Sequence, residues 1–98
     1  MSPPLTKEEI QAALVGLGTG WRLERDALEK TFQFASFREA MSFMMRAGFD
    51  AEALNHHPEW TNIYNRVTVR LNTHDAGGKV TAKDVELATR LQRISWVG

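Results

Sequence analysis

Apolar and polar residues alternate most cleanly between Ile63 and Leu71. Ile63, Val67, Val69 and Leu71 occupy odd positions, and Tyr64, Arg66, Thr68 and Arg70 lie between them. Period-2 alternation with β-branched enrichment predicts a half-buried strand over this stretch. A weaker pattern runs through Trp21 to Arg25 and Ala27 to Phe34, which predicts a hairpin turning near Asp26. A further short strand is expected near Lys79-Val80, after the Gly77-Gly78 turn signal.

Three other stretches begin with a helix-start signature. Thr6-Lys-Glu-Glu9, Ser36-Phe-Arg-Glu39 and Thr81-Ala-Lys-Asp84 each place a hydroxyl three residues before an acid. That is the capping-box pattern, in which two unpaired backbone N–H groups are satisfied reciprocally. The predicted helices run from about Lys7 to Leu17, from about Phe37 to Leu54 or Asn55, and from about Ala82 to Ser95. Gly16-Leu-Gly18 stops the first, and Pro58 disfavours helical geometry at His57 and helps end the second. The resulting order, α-β-β-α-β-β-α, predicts an α+β fold: a four-stranded antiparallel sheet with three helices on one face.

The second helix carries more apolar surface than a single sheet face needs. On a wheel at about 100° per residue, Phe37, Ala40, Met41, Phe43, Met44, Ala47, Gly48, Ala51 and Leu54 span an arc of roughly 160°. Met45 and Phe49 extend it on one flank. A homo-oligomer is therefore expected.

Bulk properties narrow the function classes. Ninety-eight residues predict a single domain spanning the chain. A domain of this size buries only about 60–65% of its unfolded surface, so a partner adding buried area would stabilise it. Twelve basic and twelve acidic residues give zero formal net charge, with no dense Lys/Arg run, so direct nucleic-acid binding is not expected. No stretch resembles a signal peptide or a membrane span, and no cysteine is present. Disulfides and thiol catalysis are thereby excluded, and a cytoplasmic location is expected.

All three histidines fall in two segments, Asn55-His56-His57-Pro58-Glu59-Trp60 and Thr73-His74-Asp75. With no glycine-rich phosphate loop or serine-nucleophile motif in the chain, acid–base chemistry points here. Imidazole, with an unperturbed pKa of about 6.5, gives and takes protons near neutrality. Glu52 and His56 are four apart, which on a continuous helix places the carboxylate beside the ring. Asp84 fills the third position of a capping box and is a structural residue, with orientation of His74 as a second possible role. Trp60 and Tyr64 are equally suited to stacking on a flat heterocycle or to the core. Three histidines also raise a zinc site, but the HExxH spacing that sets two ligands on one helical face is missing.

The ordered set Glu52, His56-His57-Pro58, Tyr64, His74 and Asp84, with its spacings and flanking text, resembles the pterin-4a-carbinolamine dehydratase family over roughly residues 5–96. The resemblance implies elimination of water from a 4a-hydroxytetrahydropterin to give the quinonoid dihydropterin, within tetrahydrobiopterin recycling. It carries catalytic roles onto His56, His57 and His74, with His56 and His74 moving protons and His57 chiefly binding substrate. Asn55, Asn72, Thr73 and Asp75 match positions lining the family's pterin pocket. Glu52, Pro58, Trp60 and Asp84 are supporting residues. No metal or organic cofactor is implied. Family members pair sheet edges into dimers, and some assemble further through the second helix. Animal members also serve as dimerisation cofactors of a homeodomain transcription factor, which gives an alternative function as a protein-binding module.

Overall fold

A computed structural model describes residues 2–96. The elements are α1 (Lys7–Leu17), β1 (Arg22–Glu24), β2 (Ala27–Gln33), α2 (Phe37–Ala53), β3 (Glu59–Ile63), β4 (Arg66–Leu71) and α3 (Ala82–Ser95), with one 3₁₀ turn at His74–Ala76. The sheet is antiparallel in the order β1-β2-β4-β3. This is the expected α+β architecture.

Local chemistry fixes the helix starts. Thr6 and Thr81 form complete capping boxes with Glu9 and Asp84. Ser36 accepts the Glu39 amide at 3.1 Å, but the Glu39 carboxylate makes no return bond among the described residues, so that box is half formed. Each such cap contributes about 1 kcal/mol.

The strands differ from the alternation pattern in two ways. The stretch from Ile63 to Leu71 is not one strand. It breaks at Tyr64-Asn65, where Tyr64 adopts φ 54°, and the chain turns back so that Ile63 pairs with Arg66. Directly paired residues share a face, so Ile63 joins Arg66 on the solvent side and is 48% exposed. Trp60 is the residue of β3 that packs against the core. The strand that completes the four is thus β3, Glu59–Ile63, and the segment near Lys79-Val80 makes only a single bridge, Thr73 to Lys79. The first hairpin turns at Arg25-Asp26 as expected, both with positive φ, 47° and 62°, which matches the twist of the flanking strands.

Leu28 and Phe32 of β2 and Val67, Val69 and Leu71 of β4 are fully or almost fully buried against Phe43, Ala47 and Ala51 of α2 and Leu87 and Leu91 of α3. Phe43 lies 4.9 Å from Phe32 and 5.0 Å from Phe34 between ring centroids, and Trp21 meets Phe32 edge-on at 5.9 Å. Complete burial of one such ring stabilises by roughly 2–3 kcal/mol.

Lys30 shares this helix-facing side. Its ammonium donates to the Thr19 carbonyl at 3.0 Å and to Gln92 Oε1 at 2.8 Å. Burial pushes its pKa below the ordinary 10.5. The lysine stem runs along Gly20, where a Cβ would stand 3.0 Å from Cε, and φ there is +96°. On the opposite sheet face, Arg22, Glu29, Arg70 and Glu59 occupy directly paired positions across all four strands. They form an alternating ion ladder.

The second helix divides its wide apolar arc. Ala40, Phe43, Ala47 and Ala51 are buried. Phe37, Met41, Met45 and Phe49, spaced four apart, are 55%, 44%, 62% and 70% exposed. Neither α1 nor α3 covers them.

Candidate functional site

Three chain segments end at one place: the C-terminal turn of α2, the exit of β4 and the first turn of α3. After Ala53 the helix stops on Leu54, and Asn55 takes φ 51°, a left-handed turn that asparagine tolerates. The His56 amide still bonds the Ala51 carbonyl at 3.0 Å, which anchors the turn. Across from it, β4 leads into Asn72 and Thr73, and the 3₁₀ turn carries His74 and Asp75. Gly77 at φ 73° closes this turn, its amide bonding the His74 carbonyl at 3.1 Å.

These segments enclose a cavity of about 260 Å³. The α2 exit contributes Asn55, His56 and His57 to its wall, and the β4 exit contributes Asn72, Thr73, His74 and Asp75. Lys83, from the first turn of α3, completes it. The expected substrate-contacting residues are therefore brought together, and Lys83 is an addition. Nothing in the sequence singles it out, because Arg38 holds the same second position in α2. Thr73 is buried and the His56 side chain only 11% exposed, whereas Asn55, His57, His74, Asp75 and Lys83 are exposed and form the rim.

The side-chain pairings depart from the spacing argument. Glu52 does not meet His56. The left-handed residue at Asn55 breaks the i,i+4 relation, and Glu52 instead reaches His57 Nε2 at 3.0 Å in an exposed contact. His56 swings toward α3, where its Nε2 lies 2.6 Å from Asp84 Oδ1. Asp84 accordingly orients His56 rather than His74.

Asp84 is fully buried, and both of its oxygens are hydrogen-bonded. Its Oδ2 accepts the Thr81 amide and the Thr73 hydroxyl, each at 2.8 Å. Since the Thr73 proton is committed there, the 2.7 Å Thr73–Thr81 contact has Thr81 as its donor. A carboxylate can only accept, so His56 donates Nε2–H, and its Nδ1 has no partner among the described residues. His74 has no side-chain partner among the described residues.

Two expectations for aromatic residues resolve away from the cavity. Trp60 packs against the core, and Tyr64 is 80% exposed at the β3–β4 turn, the far end of both strands. Pro58 lies between His57 and the start of β3, outside the cavity lining. Among the described residues, no group of three or more His, Asp or Glu side chains has an arrangement able to hold a metal ion.

The sequence profile described as Pterin 4 alpha carbinolamine dehydratase matches residues 3–94. The chain belongs to this family. A relative from Opitutus terrae, provisionally named pterin-4-alpha-carbinolamine dehydratase, is 73% identical over 94 residues, 96% of each chain. A relative from Solibacter usitatus with the same provisional name is 46% identical over 97% of this chain and 98% of its own. Among solved structures, a transcriptional coactivator/pterin dehydratase from Brucella melitensis superimposes with a TM-score of 0.88 at 40% identity, covering 94% of this chain and 98% of its own. A pterin dehydratase-like RuBisCO assembly factor of the alpha-carboxysome shares the fold, with a TM-score of 0.69 at 19% identity over 84% and 96% of the two chains.

Proposed function

We propose that the protein eliminates water from a 4a-hydroxytetrahydropterin. The C4a–O bond breaks, the departing hydroxyl takes a proton and leaves as water, and N5 loses its proton as the C4a=N5 bond forms. The product is the quinonoid dihydropterin, as in tetrahydrobiopterin recycling. His56 and His74 transfer the protons, and His57 chiefly binds the ring. Imidazoles suffice for both transfers, so neither metal nor organic cofactor takes part.

One observation carries this reading: two imidazoles from separate segments line one cavity, and one of them is held by a buried carboxylate. Positioned acid–base groups of this kind contribute about 10²–10⁴-fold. A dehydration assay with a synthetic carbinolamine tests it directly. Acceleration above the buffer rate is expected, and its absence would remove the reading.

A second reading, as a protein-binding module, draws on the double name of the Brucella structure and on the uncovered stripe of α2. Capture of a transcription factor by a protein inactive on pterins would favour it. In either case we expect a homodimer or homotetramer working in the cytoplasm, without direct contact to nucleic acid or membrane. No helix among the described residues is long and apolar enough to span a bilayer.

A further inference from the structure

We propose that Lys83, with Asp75 of the same rim, is a specificity-determining pair that positions the pterin through its ring substituent. The inference rests on the dehydratase reading for the identity of the ligand. Its own basis is the distribution of partners around the cavity. The His56 ring is tied to Asp84 and the His57 ring to Glu52. The Lys83 ammonium and the Asp75 carboxylate have no side-chain partner among the described residues. They face the same cavity, yet they form no ion pair with each other. A basic and an acidic side chain thus stand unpaired at the opening of one cavity.

Lys83 is not free to wander at its root. Its backbone N–H donates to Thr81 Oγ1 at 3.2 Å, and Thr81 donates on to Thr73 in the network that holds Asp84 and His56. The base of the Lys83 side chain is therefore fixed to the frame that holds Asp84 and the His56 ring. Asp75 is carried by the 3₁₀ turn that also carries His74. Both charges lie on the exposed rim, while buried Thr73 and the largely covered His56 ring form the floor. An ammonium only donates hydrogen bonds and a carboxylate only accepts them. A neutral hydroxylated substituent satisfies both at once. A phosphate would gain Lys83 but oppose Asp75, and a methyl group would satisfy neither.

The test compares Lys83→Met, Lys83→Arg and Asp75→Asn on two synthetic carbinolamines, one with a hydroxylated substituent and one with a methyl at the same carbon. One lost rim hydrogen bond corresponds to about a threefold to tenfold effect. Lys83→Met should raise KM by that factor for the hydroxylated substrate, leave its kcat unchanged, and leave both constants unchanged for the methyl substrate. Lys83→Arg should restore most of the KM. Equal effects on both substrates, or none on either, would overturn the assignment. Titration of the oxidised pterins, followed by their fluorescence, supplies a readout independent of turnover. If no carbinolamine is dehydrated but the hydroxylated pterin binds more weakly to Lys83→Met, the pair stands and the reaction assignment fails. If the wild-type protein binds neither pterin, both fail.

Discussion

The ring of His56 and the carboxylate of Asp84 meet at 2.6 Å although 28 positions separate them in the chain. The same carboxylate closes the capping box that starts α3. One buried group therefore sets a helix start and the orientation of a candidate proton-transfer ring. The cap serves the site as well as the fold, because moving α3 would move the ring's partner.

Removing Asp84 should consequently damage both properties. Asp84→Ala strands the Thr81 amide, the Thr73 hydroxyl and His56 Nε2 in a buried place, and breaking such a buried pair costs about 3 kcal/mol or more. Urea titration should show that loss. Asp84→Asn keeps an acceptor and most of the shape, so it should lose less stability while still lowering kcat by about tenfold or more, since a neutral amide cannot balance an imidazolium. A variant with full kcat would show that Asp84 acts on the helix alone.

His56→Ala and His74→Ala should each lower kcat by about 10²-fold or more with an unchanged far-UV spectrum, because each removes a proton-transfer group. His57→Ala should act mainly on KM. Wild-type turnover in either of the first two would refute the division of roles.

Dialysis against a chelator should leave activity intact. Loss on chelation with recovery on adding zinc would establish a metal-dependent reaction instead.

The helix bounds were legible because capping chemistry is local: Thr6, Ser36 and Thr81 announce themselves within four residues. The cavity's histidines stood out as the chain's acid–base candidates, and its Asn, Thr and Asp residues were legible only through the resemblance to the family. The β3–β4 hairpin was hidden because Tyr64-Asn65 lacks the glycine of a usual turn and apolar Ile63 happens to continue the odd register. The Glu52–His56 pairing failed for a related reason, since one left-handed residue at Asn55 redirects everything after it. The His56–Asp84 contact belongs to tertiary packing, and no spacing rule reports it. Lys83 is likewise placed at the cavity only by how α3 docks.

Lys30 offers a test of stability against pH. Burial lowers its pKa in the folded protein below the 10.5 of an unfolded chain. Between those two values the unfolded state binds more protons, so this group makes stability rise with pH across that alkaline window and level off above 10.5. Denaturant midpoints should therefore fall less steeply toward alkaline pH in the wild-type protein than in Lys30→Met. Parallel pH profiles for the two proteins would mean that Lys30 titrates alike in both states.

Self-association through α2 is the remaining prediction. Phe37, Met41, Met45 and Phe49 form an uncovered stripe along the helix, and Gly48 beside it has nothing within 4 Å of where its Cβ would stand. Glycine inside a helix costs about 1 kcal/mol relative to alanine, a cost that a close-approaching second helix would offset. Four large apolar residues left in water are likewise unfavourable, by roughly 25 cal/mol for each Å² they keep exposed. A second copy offers the same stripe, and closed two-fold symmetry is the usual outcome for a self-complementary surface. Light scattering at micromolar concentration should report at least a dimer. Met45→Glu or Phe49→Glu places a charge in the stripe, and should weaken a tetramer built on α2 before it weakens a dimer built on sheet edges. A monomer mass for the wild-type protein would leave the stripe without a second copy to cover it and end the argument.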